Sequence, residues 1–95
     1  MSFIQKAASE QIVLEWKDLG NLIIYMTVNL DETLEVKYKN GRGPFKGTYR
    51  LIDNNYIFQI DFTDGVNPDA GKQVGVLDFK QEIIYWGNDT QWKRV

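Results

Sequence analysis

The 95-residue sequence contains no cysteine and no histidine. Without cysteine there is no disulfide, no thiolate metal site and no thiol nucleophile. Without histidine the commonest acid–base group and metal ligand is missing too. A basic excess is also lacking. Thirteen acidic residues against eleven basic ones leave a net charge of −2, which is not the electrostatic footprint of a nucleic-acid binder. No apolar run approaches the roughly 20 residues that cross a bilayer as a helix, and no membrane partner is expected. Short domains in oxidising compartments usually carry disulfide staples, so their absence points to the cytoplasm. Residues 1–10 lack the charged start and long apolar core of a signal peptide.

What is present is ordinary globular composition, 43% apolar and 25% charged, enough for a single domain over residues 1–95. Ser2 as N-cap and Phe3, Ile4, Ala7 and Ala8 at helical spacing predict one short N-terminal helix. Beyond it the apolar pattern has period two. Gly, Asn and Asp break it every seven to ten residues, which predicts an all-β chain. Eight strands are expected, at 10–17, 21–29, 33–39, 47–53, 56–63, 73–80, 83–87 and 91–94.

Each hairpin has to set apolar residues opposite apolar residues. A turn at Asn54-Asn55 pairs Leu51 with Phe58, Tyr49 with Ile60 and Gly47 with Phe62. A three-residue loop Asp18-Leu19-Gly20 pairs Trp16 with Leu22, Leu14 with Ile24 and Ile12 with Met26. A turn near Gln81-Glu82 pairs Phe79 with Ile84 and Leu77 with Trp86. For the last hairpin, a three-residue loop that buries Trp92 opposite Trp86 is preferred over a two-residue Asn88-Asp89 turn.

Consecutive strands joined by short turns form an antiparallel up-and-down meander, and closing it into a barrel removes exposed edges. Eight strands enclose an interior just wide enough for side chains or one small ligand. The Gly47-Thr48-Tyr49 strand opening and the closing run from Ile84 through Tyr85, Trp86, Gly87, Asn88, Asp89, Thr90, Gln91, Trp92 and Lys93 to Arg94 resemble a minimal calycin-type barrel. That group contains the lipocalins, fatty-acid-binding proteins and avidins. The chain departs from the lipocalin pattern in its first strand, which ends on Trp16 instead of opening with Gly-x-Trp. The resemblance implies a carrier of a small hydrophobic or anionic ligand, with Trp16, Tyr49, Phe58, Trp86 and Arg94 around the cavity.

Other motifs have plainer readings. Gly41 to Thr48 carries glycines, Lys46 and Thr48, but the order Lys-Gly-Thr and the strand that follows do not make a phosphate loop. Lys37, Lys39 and Arg50 are expected to project outward together as a solvated basic face. Asp61, Asp64, Asn67 and Asp69 offer oxygen donors for calcium, but not at EF-hand spacing, and such residues also form turns. Asn88-Asp89-Thr90 matches the glycosylation sequon, but without a secretory signal it is more simply a turn. Arg94, on the same face as Trp92, is expected to stack on an aromatic ring and close one barrel end. No nucleophile–base pair, metal centre or cofactor motif can be assembled, so the chain is read as a non-catalytic module.

The alternation also places Val13, Ile23, Tyr25, Ile83 and Tyr85 on the outer face, where polar residues are the rule. Contiguous outer apolar residues either mark an interaction surface or are covered in part by the N-terminal segment through Phe3 and Ile4. The leading expectation is therefore association with itself or with another protein through this face.

Overall fold

A computed structural model describes residues 11–63 and 71–95. The expected N-terminal helix lies outside these residues, as do Asp64, Asn67 and Asp69 of the loop considered for calcium. Eight strands form: β1 (Ile12–Lys17), β2 (Ile23–Val28), β3 (Thr33–Tyr38), β4 (Phe45–Ile52), β5 (Asn55–Asp61), β6 (Lys72–Asp78), β7 (Ile83–Trp86) and β8 (Gln91–Arg94). Each pairs antiparallel with the next, and β8 returns to β1 to close an up-and-down barrel. Among the described residues no helix is long and apolar enough to cross a membrane.

Alternation decides which side chains meet inside. Leu14 and Trp16, Ile24, Met26 and Val28, Leu34 and Val36, and Tyr56, Phe58 and Ile60 are all buried, while their sequence neighbours face outward. Burying each large side chain contributes about 1.5–3 kcal/mol relative to leaving it in water. Two inward positions are glycines because the space is already taken. A Cβ on Gly75 would stand 2.7 Å from both Ile84 Cγ2 and Trp86 Cε3, and one on Gly47 would stand 2.2 Å from Gln59 O.

The faces follow the expected alternation, but the pairings differ by two. In the β4–β5 hairpin the turn is Asp53-Asn54, both with positive φ (50° and 67°), instead of Asn54-Asn55. Tyr49 therefore pairs with Phe58, Leu51 with Tyr56 and Gly47 with Ile60. In the first hairpin the three-residue loop is Leu19-Gly20-Asn21, so Trp16 pairs with Ile24, Leu14 with Met26 and Ile12 with Val28. Asn21, not Gly20, takes the left-handed conformation (φ 65°). Asp18 Oδ1 fixes this choice by accepting from the N–H groups of Gly20 and Leu22, both at 2.9 Å.

Leu77 pairs with Ile84 and Gly75 with Trp86. Phe79 thus leaves the ladder and stands in the turn, 38% exposed, with its ring 5.6 Å from that of Tyr56. Leu51 keeps inward parity, yet it lies next to the turn at the barrel's end and is 54% exposed. The last loop has three residues and Trp92 is buried, as expected, but its partner is Ile84. Trp86 meets Trp92 only diagonally, with ring centroids 4.7 Å apart.

Candidate functional site

Up-and-down topology sends alternate connections to opposite ends of the barrel. The links β1–β2, β3–β4 and β7–β8 therefore gather at one end, where β5 ends and β6 begins. These three links are built alike. In each, a residue's N–H donates to the carbonyl four positions on: Asp18 to Leu22, Tyr38 to Arg42 and Trp86 to Thr90. A second bond closes the tight turn inside it: Asn21 N–H to Asp18 O, Gly41 to Tyr38 and Asp89 to Trp86. The third loop residue is left-handed every time, with φ of 65°, 96° and 67° at Asn21, Gly41 and Asp89. This is the three-residue hairpin whose last position needs positive φ.

The six residues that flank these loops share a destination. Asp18, Leu22, Tyr38, Arg42, Trp86 and Thr90 all line one cavity of about 310 Å³, completed by Phe62, Gln73, Asn88 and Trp92. Its floor is aromatic. Phe62 stands edge-on to both Trp86 and Trp92, at 5.7 and 5.9 Å between centroids, and Tyr38 stands edge-on to Trp92 at 6.2 Å. Such perpendicular contacts match the quadrupoles of neighbouring rings and stiffen the floor. The rim is polar.

Arg42 reaches this mouth through a local irregularity. Inward positions on β4 are odd, namely Phe45, Gly47 and Tyr49, so an uninterrupted strand would turn Arg42 outward. Between the Tyr38–Arg42 bond and the Val36–Phe45 pair, β3 has one residue and the other strand has two, Gly43 and Pro44. That extra residue is a bulge opened by a glycine with φ 99°, and it reverses parity. The Arg42 guanidinium then lies 5.3 Å from the Tyr38 ring centre and 5.4 Å from that of Phe45. Burial pushes the Tyr38 phenol up, the Arg42 charge opposes that shift, and the Asp18 carboxylate adds to it. The two rim charges are thus both felt at one hydroxyl.

Sequence alternation found the floor but missed Asp18, Arg42, Gln73 and Asn88. The Gly43-Pro44 pair was the available signal, since both residues mark strand irregularities. Of the five residues that the calycin resemblance assigned to a ligand, only Trp86 lines the cavity. Trp16 and Phe58 are fully buried in the core. Tyr49 closes the opposite end, its hydroxyl donating to Asn29 O at 2.6 Å and its ring 6.2 Å from that of Tyr56. Arg94 lies 5.8 Å over the Trp16 ring and 3.9 Å from Glu82 Oε1, a structural clasp.

The five outer residues divide into two groups. Lys17 pairs with both Ile23 and Lys93, and Ile83 pairs with Lys93, so two lysines separate Ile23 and Tyr25 from Ile83 and Tyr85. Val13, 59% exposed, lies on the Ile23 side. Tyr85, whose hydroxyl donates to Gln81 Oε1, instead continues an apolar row through Val76 to Ile57. The basic residues are divided as well. Lys37 is near the Pro44 end of the β3–β4 ladder, and Arg50 lies beyond its other end, past the Thr33–Thr48 pair. No protein-family model, curated protein or solved structure matches this chain.

Proposed function

We propose that this protein is a non-catalytic binding barrel that holds a small ligand in the mouth built by its repeated loops. One observation carries the reading: loops of one design, separated along the chain, deliver their flanking residues to a single concavity over a rigid aromatic floor. Its volume lies at the lower end of the range of about 300–1,000 Å³ typical of small-molecule sites. An apolar base with several convergent polar groups is the usual composition of such sites. Binding at one end of a closed eight-stranded barrel is also the calycin manner, so kinship with that group belongs to the same proposal. A cytoplasmic setting belongs to it too, resting on the want of cysteine in so short a chain.

Indole N–H resonances supply the test, because the chain has three tryptophans and only Trp86 and Trp92 line the mouth. A panel of sugars, amino acids, carboxylates and apolar dyes is titrated into the full chain. At least one class shifts the Trp86 and Trp92 signals and spares Trp16, and Thr90→Tyr, which fills the mouth, abolishes the shift. No response to any class, or a response unchanged in Thr90→Tyr, overturns the reading.

A second reading is self-association through the outer row Tyr85–Val76–Ile57, favoured by the exposure of Val74, Val76 and Tyr85 at 46%, 40% and 40%. Closure leaves no free strand edge, so copies would meet face to face. Light scattering should then find a dimer that Val76→Lys dissociates. A strict monomer at high concentration sinks it.

A further inference from the structure

We infer that the ligand held in the mouth is a neutral saccharide ring. This rests on the mouth being a ligand site and adds what that site takes. Charge is the first constraint. Among the described lining residues Asp18 is the one carboxylate and Arg42 the one guanidinium, so the described lining is neutral. A ligand of net charge gains little from such a balance. A wholly apolar ligand fits worse, because it would strip water from Asp18, Arg42, Gln73, Asn88 and Thr90 and return no hydrogen bonds.

A zwitterion would balance the two charges but would leave the Gln73 and Asn88 amides and the Thr90 hydroxyl, which also line the mouth, without partners. A polyol asks for something else: each hydroxyl both donates and accepts. Asp18 accepts, Arg42 donates, and the Gln73 and Asn88 amides and the Thr90 and Tyr38 hydroxyls do both. The rings of Tyr38, Phe62, Trp86 and Trp92 complete the lining, an apolar surface for the C–H face of a sugar ring.

The test separates class from site. Glucose, galactose, mannose and N-acetylglucosamine, then phenylalanine, benzoate and an anionic apolar dye, are titrated into the full chain while the Trp86 and Trp92 indole signals are followed. At least one sugar shifts both, with a dissociation constant that moves less than about twofold between about 20 and 500 mM salt, because no net charge is involved. Gln73→Ala and Thr90→Val each weaken it about tenfold, the loss of one hydrogen bond. A response to phenylalanine, benzoate or the dye with every sugar silent overturns the saccharide and leaves the ligand site standing. The saccharide is likewise overturned if both variants bind sugar as well as the parent does. Silence from all the compounds removes site and saccharide together.

Discussion

Tyr49 and Tyr38 do different work at opposite ends of the barrel, and both carry it as neutral phenols. Burial is the main cause that raises each above the ordinary value of 10.0. At Tyr49 the nearby Tyr56, Glu32 and Asp31 push the same way, whereas at Tyr38 Arg42 pulls back. Below pH 10 the phenols are protonated in both folded and unfolded chains, and the stability they support is fully present. As pH rises past 10 the unfolded chain loses these protons first, so stability falls until the raised folded values are passed. Urea midpoints between about pH 8 and 11 should decline in the parent and decline less in Tyr49→Phe and in Tyr38→Phe. Equal slopes in all three would remove tyrosine burial as the cause. That these rings are sheltered was legible from alternation alone. What acts on their hydroxyls was not, because Asn29 O, to which Tyr49 donates, and the Asp18 charge felt at Tyr38 come from other strands and loops.

At the scale of the hairpin, alternation fixes parity and nothing finer. Asp53, Asn54 and Asn55, or Gly20 and Asn21, can each supply a left-handed residue, and moving the turn by one position moves every pairing by two without exchanging faces. Side-chain capture by Asp18 Oδ1 makes the choice in the first hairpin, and no periodicity records that. The β3–β4 link adds a bulge, and this is why Arg42 could not be placed by alternation.

Two glycines in that link separate strain from contact. Gly41 has φ 96° with nothing within 4 Å of a built Cβ, whereas Gly43 has φ 99° with Val36 O at 2.8 Å. Gly41→Ala should cost about 1–2 kcal/mol from conformation alone. Gly43→Ala should cost more, up to about 3 kcal/mol, and should also displace Arg42 and shift the Trp92 indole signal. Equal losses in the two variants, with an unmoved indole, would mean that the bulge does not position the mouth.

The whole molecule depends on a seam. Closure was expected from the meander itself, since an open sheet would leave two edges unpaired, but a linear pattern says nothing of how firmly the last strand meets the first. β1 and β8 share only two register pairs, Trp16–Arg94 and Lys17–Lys93, where β4 and β5 share six. The lysine pair sets like charges opposite each other, which is unfavourable. Holding the seam are Val95 N–H to Glu15 O at 3.1 Å and the Arg94 guanidinium over Trp16, whereas the Arg94 N–H turns away from β1 to Glu82 O in the β6–β7 turn.

Proteins open locally where few buried contacts hold neighbouring elements. Native-state hydrogen exchange should therefore find the Val95 amide opening at lower free energy than those of Tyr49 and Phe58. Arg94→Ala should widen the gap by about 0.5–2 kcal/mol, the range of a cation–π contact. It should leave β4 and β5 exchange tied to global unfolding. If instead all three amides exchange together, the seam is no weaker than the rest, and the barrel opens only by unfolding as a unit.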